Sequence, residues 1–122
     1  MSGGTYDRER AEAALPMLRD MLPRIREARR ALIDASERIT EAVAADGGGV
    51  SGGDWFEAQE RLRTDLTALA DAGILLRDPE AGLVDFPAER DGERVFLCWK
   101  LGEETVAFFH GEHGGYANRR PW

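Results

Sequence analysis

The sequence predicts an α+β domain: a long N-terminal helical hairpin with a kinked first helix, then a small, mainly antiparallel sheet of about four strands. Three observations carry this. A heptad-spaced apolar seam runs through the first third of the chain. A glycine-rich stretch and a capping sequence separate it from a second helical pattern. From residue 74 onward the apolar runs become short and alternate with turn sequences. The 122 residues suit one domain, divided as kinked long helix 7–45, glycine-rich loop 46–53, second helix 54–73, sheet 74–110 and polar tail 111–122.

The seam has Ala11, Leu18, Ile25, Leu32 and Ile39 at one heptad position and Ala14, Met21, Ala28, Ala35 and Ala42 at the other. Pro16 and Pro23 each lack an amide hydrogen and crowd the carbonyl four residues back, so a break or kink is expected near them. The reading is a short helix over 7–15 and a long one from 16 or 23 to 45, ended by Asp46 and three glycines. The stretch 47–53 holds five glycines and joins two helices. It lacks the strand and lysine context that phosphate-cradling loops require. Asp54 followed by Glu57 forms a capping box, and Trp55, Ala58, Leu62, Leu66, Leu69 and Ala72 give the second helix its apolar stripe, closed by Gly73.

Four strands follow, at 74–77, 83–86, 94–99 and 105–109. The turns between them contain Pro79, Gly82, Asp91-Gly92 and Gly102. The run from Val95 to Trp99 is apolar throughout, which predicts a central strand covered on both faces. At about 1.5 Å per residue the first long helix spans about 45 Å and the second about 27 Å. The part of the seam around Leu18, Met21 and Ile25 therefore needs cover from the sheet or from another chain. A homodimer through the first helix is the expected solution.

The net charge is −7, and the excess lies in residues 46–122, where fifteen acids face eight basic residues. That balance excludes a nucleic-acid binder that works by neutralising phosphates. Arg24, Arg26, Arg29 and Arg30 form the one basic cluster, interleaved with Glu27, and read as a solvated helix face. No apolar run is long enough to span a bilayer, and the first residues carry no secretory signal, so neither a membrane partner nor export is expected. One cysteine, Cys98, excludes an internal disulfide framework and points to the cytoplasm. Only Lys100 among sixteen basic residues is a lysine, a usage that fits a GC-rich bacterial genome.

Chemistry-bearing residues gather late in the chain. His110, Glu112 and His113 place three metal-ligand side chains within four residues, with Asp85 on a neighbouring strand as a fourth. Imidazole and carboxylate together suit zinc or iron. Asp85, Arg90 and Arg119 are candidates for a small anionic ligand, Arg119 and Arg120 alternatively pairing with the protein's own acids. Cys98, flanked by Leu97 and Trp99, reads as an inert core residue. Glu103 and Glu104 read as exposed hairpin acids. No nucleophile elbow or other catalytic constellation is present.

Several ordered stretches carry a family resemblance. These are E-A-A-L-P at 12–16, G-L-V-D-F-P-A at 82–88, V-F-L-C-W-K-L-G-E at 95–103, V-A-F-F-H at 106–110 and G-Y-x-x-R-x-P from Gly115. The chain closely resembles the prokaryotic family catalogued as domain of unknown function 2203, over nearly its whole length. The residues that match the family pattern are Asp85, Arg90, Trp99, Gly102, Glu103, His110, Gly115, Arg119 and Pro121. The chain departs from it at His113, where relatives more often carry an acid, and at Asn118, where glycine is usual. The resemblance implies no established activity.

Two functional readings stand. One is a non-catalytic, dimeric binding protein with a divalent-metal or small-anion site at the sheet end. The other is an assembly module whose long helix pairs with another protein and which has no ligand site. A metal-dependent hydrolase built on the same cluster is a third.

Overall fold

A computed structural model describes the protein over residues 5–46 and 53–122. The glycine-rich stretch 47–52 and the side chains of Ile39, Ala42 and Asp54, which carry part of the loop, seam and cap expectations, lie outside the described part. Three helices come first: α1 (Arg8–Ala13), α2 (Leu15–Asp46) and α3 (Gly53–Asp71). Asp7 caps α1, its carboxylate accepting from the Arg10 amide at 2.7 Å. The break falls at Ala14, so Pro16 occupies the first turn of α2, where a missing amide hydrogen is tolerated. Pro23 lies inside α2 without ending it.

The five strands are β1 (Leu75–Asp78), β2 (Leu83–Arg90), β3 (Glu93–Lys100), β4 (Phe108–Gly111) and β5 (Arg120–Pro121). They pair in sequence order as an antiparallel meander. β5 is an addition to the four expected strands. Arg120 and Pro121 pair with Phe109 and Phe108, which recruits the end of the polar tail into the sheet. Two residues with Pro as one of them give no periodicity to read. β2 and β3 meet across a two-residue turn in which Asp91 (φ 54°) and Gly92 (φ 80°) are both left-handed, the backbone of a type I′ hairpin.

Alternation along the strands gives the sheet two different faces. Val84, Phe86, Ala88, Val95, Leu97, Trp99 and Phe109 point to the helices and join Leu18, Leu22, Ile25 and Leu69 in one core. Leu18, Met21 and Ile25, the seam expected to need cover, are thus buried within the chain. On α3 the inward position next to Leu66 is taken by Asp65. Its carboxylate is buried and accepts two hydrogen bonds from Arg24, at 3.1 and 3.2 Å, while Leu66 is 40% exposed. The basic cluster is paired internally: Arg24 with Asp65 and Asp20, Arg29 and Arg30 with Glu80, and Arg26 with the Glu80 carbonyl.

Candidate functional site

The candidate site lies on the outer face of the sheet, away from the helices. The Arg90–Glu93 turn pairing sets a register that places Asp85 directly opposite Cys98. The β3–β4 register places Phe108 opposite Cys98 and His110 opposite Phe96, making His110 the diagonal neighbour of Cys98 on the same face. The bulge between Leu76 and Asp78 re-aims Arg77 toward Asp85. Phe96 lies beside both neighbours of Asp85, its ring centroid 5.6 Å from that of His110 and 5.2 Å from the Arg77 guanidinium carbon.

Asp85 and His110 are almost fully buried, with side chains 2% and 3% exposed. Asp85 Oδ2 lies 2.9 Å from His110 Nε2 and accepts from Arg77 Nε at 2.9 Å. His110 Nδ1 faces the Gly111 carbonyl at 2.8 Å. A carbonyl oxygen can only accept, so this contact assigns a hydrogen to Nδ1. The second carboxylate oxygen, Asp85 Oδ1, is buried and among the described residues has no hydrogen-bond partner. A buried acceptor left in that state costs about 1–3 kcal/mol unless something occupies the space beside it.

Cys98 completes the cluster. Its Sγ, a carboxylate oxygen of Asp85 and a ring nitrogen of His110 all lie within 4.8 Å of one another. Burial, seconded by the Asp85 charge and opposed by that of Arg119, pushes the thiol up to about 11. The thiol is therefore neutral at pH 7 and a poor nucleophile. A cysteine–histidine nucleophile also needs a ring nitrogen turned to sulfur, whereas both His110 nitrogens face oxygens.

The sequence-predicted residues do not all meet. Asp85 and His110 come together. Glu112 and His113 sit exposed on the turn after β4, closed by the Gly114 amide donating to the Gly111 carbonyl at 3.1 Å. Among the described residues the group with ligand atoms inside 4.8 Å is Asp85, Cys98 and His110, so the triplet of His110, Glu112 and His113 is not that compact group. All four of the predicted metal residues do line one cleft of about 350 Å³, together with Arg77 and Tyr116.

The anion-ligand set separates further. Arg90 is an odd number of residues from Asp85 along β2 and so belongs to the opposite face. It stacks on Phe109 and Trp122, at 4.6 and 4.8 Å, and donates to the Trp122 carbonyl at 2.8 Å. Arg119 grips Glu103 with both terminal nitrogens, its guanidinium carbon 4.2 Å from the Phe108 ring and 4.1 Å from that of Tyr116. It has taken the protein's own acid. Glu103 is consequently half-buried, where an exposed hairpin acid was expected. Burial works against its charge, but the Arg119 hydrogen bonds, the Lys100 amide and the Arg119 charge outweigh that and hold the carboxyl below its ordinary value. The same contact, Glu103 first, raises Arg119.

Arg77 is not singled out by the sequence, while Cys98 reads as core and Glu103 as an exposed acid, neither as a member of the site. The signal for Cys98 was available in the register: an Asp91-Gly92 turn pairs 90 with 93 and hence 85 with 98. Arg77 depends on a bulge that leaves no sequence mark.

A family model described as "Uncharacterized conserved protein (DUF2203)" matches residues 5–122. No curated protein and no solved structure matches the chain.

Proposed function

The chain belongs to the uncharacterised conserved family DUF2203, and from its outer-face cluster we propose that it is a non-catalytic binding protein for a divalent metal ion. The observation that carries this reading is Asp85 Oδ1, a buried carboxylate oxygen without a hydrogen-bond partner among the described residues, on a side chain that, with His110, lines the 350 Å³ cleft. A cation supplies what that oxygen lacks. The anion alternative is weaker, because Arg90 and Arg119 are already engaged elsewhere. Catalysis is not part of the reading. Neither ring nitrogen of His110 is free as a base, and the Cys98 thiol is neutral. A single reduced thiol suits the cytoplasm of a bacterium.

Elemental analysis of protein purified without a histidine tag, with thermal unfolding at increasing zinc concentration, tests the reading. The expected result is a stoichiometric metal and a melting temperature that rises with the logarithm of zinc concentration. Metal-free protein whose melting temperature is unmoved by zinc, iron(II) or cobalt(II) would overturn it.

The assembly reading keeps one supporting observation. Ile33, Trp55 and Phe56 are 45%, 36% and 62% exposed on the helical hairpin. Since Leu18, Met21 and Ile25 are buried in the chain's own core, a homodimer or a protein partner would use this distal surface instead.

A further inference from the structure

We propose that the ion is held by Asp85, Cys98 and His110, so that the site is a mixed oxygen, sulfur and nitrogen site for a thiophilic cation of the zinc class. This rests on the metal-binding reading above and goes beyond it by naming the ligands. It replaces Glu112 and His113, the sequence-predicted pair, with a cysteine from the central strand.

Three features support the ligand set. The first is size. Asp85 Oδ1 is sealed from solvent, so an organic ligand in the cleft cannot touch it, whereas a single ion or a water molecule can. The second is the orientation of His110. Its Nδ1 is fixed on the Gly111 carbonyl at 2.8 Å, which leaves Nε2 as the ligand nitrogen. Metal-binding histidines are commonly oriented by such a contact from the other ring nitrogen. The third is the donor chemistry. A carboxylate, a thiolate and an imidazole suit zinc or cobalt, while magnesium and calcium favour oxygen alone.

The donors lie within 4.8 Å of one another, and a tetrahedral ion draws such atoms to about 3–4 Å apart. Small side-chain rotations on adjacent strands accomplish this. Nε2 must leave Asp85 Oδ2, and Arg77, which is 45% exposed, releases the same oxygen to solvent. The Cys98 thiol proton, and any proton on Nε2, pass to water as the metal–ligand bonds form. The fourth position faces the cleft, where Glu112, His113 or a water molecule is available.

Cobalt(II) titration of the full chain, followed by optical absorption, tests the assignment. One equivalent should produce the intense near-ultraviolet band of a cobalt–thiolate bond and the visible bands of a tetrahedral ion. Cys98→Ser should abolish the thiolate band and weaken binding at least about 100-fold, since even outer partners are worth 10–100-fold. The double variant Glu112→Gln, His113→Gln should keep the band. Stoichiometric cobalt without a thiolate band would overturn the ligand assignment and leave the metal-binding reading standing. Equilibrium dialysis showing no bound cobalt, zinc or iron(II) would overturn both, with a buried water as the partner of Oδ1. The wild-type spectrum alone decides between these outcomes if Cys98→Ser fails to fold.

Discussion

The two faces of the sheet are built from the same strands and obey opposite rules. The inner face, with Val84, Phe86, Leu97, Trp99 and Phe109, is apolar and closes against Leu18, Leu22, Ile25 and Leu69. The outer face, one residue out of step along each strand, carries Asp85, Cys98 and His110, equally buried but linked by charge and hydrogen bonds. Inner-face groups are satisfied by apolar contact, and the Trp99 ring nitrogen by the Glu103 carbonyl. Among the described residues the outer face leaves one carboxylate oxygen without a hydrogen-bond partner. A fold selected only for stability would have filled that position with an apolar residue, since a well-packed hydrophobic replacement is often neutral or better. Under the metal-binding proposal, burial means stability on one face and stored binding capacity on the other.

The largest effect expected from this contrast is on the inner face. Trp99 is wholly buried, and its ring nitrogen donates to the Glu103 carbonyl at 3.1 Å. Trp99→Ala should lower stability by about 3–5 kcal/mol, through lost burial and the cavity left behind. Urea unfolding followed by circular dichroism measures it. An outer-face change of similar burial should behave differently. Asp85→Asn keeps the shape and can still bond His110, but it turns the ion pair with Arg77 into a neutral hydrogen bond and puts an amide NH2 where Oδ1 stood. Its cost in metal-free protein should stay within about 1–3 kcal/mol, below that of Trp99→Ala, while metal binding is lost. If Asp85→Asn destabilises as strongly as Trp99→Ala, the outer face is structural and the contrast fails.

That contrast also explains what the sequence could reveal. The helical hairpin and the meander follow from periodicity and turn residues, because heptad spacing and an Asp-Gly turn act locally. Val95–Trp99 reads as one apolar run, correctly predicting a central strand buried on both sides, but hydrophobicity cannot tell which alternate residues face which layer. Cys98 reads as core, and it is buried, but its place beside Asp85 and His110 is not legible. The polar turn gives no sign of burial: Glu112 and His113 are adjacent to His110 in sequence, yet they are exposed while His110 is buried. Arg119 and Glu103 meet across sixteen residues, a distance at which charge pattern gives no pairing information.

Titration sharpens the comparison, with smaller effects. The Cys98 thiol is raised to about 11 by burial and by Asp85, so the unfolded chain ionises it first. Between about 9 and 11 the unfolded state holds fewer protons than the native one, and metal-free protein should lose stability as pH rises through that window. Cys98→Ala should flatten this alkaline limb. The thiol of the native protein should react with iodoacetamide far more slowly than free cysteine at pH 8, and reaction at the free rate would contradict its burial. Glu103 behaves oppositely. Its carboxyl is held low by Arg119, so its contribution is present above the ordinary carboxylate range and disappears as pH falls through the native value. Arg119→Met should reduce that acid dependence by under about 1 kcal/mol, because the pair is partly solvated.

The smallest effect on stability is expected at the surface furthest from this contrast. Phe56 is 62% exposed on α3, so Phe56→Ser removes little buried area and should shift stability by no more than about 0.5 kcal/mol. Its value lies in separating the two functional readings. A dimer formed through Ile33, Trp55 and Phe56 would have Phe56 near its centre, and losing a buried aromatic anchor there typically costs an interface about 2 kcal/mol or more. Light scattering at micromolar concentration should then show a dimeric wild type and a monomeric Phe56→Ser variant, with cobalt binding unchanged in both. Ile25→Asp is not an equivalent test, because Ile25 is buried in the protomer's own core and a charge there would unfold the chain. A wild type that scatters as a monomer removes the dimer and leaves the metal-binding proposal untouched.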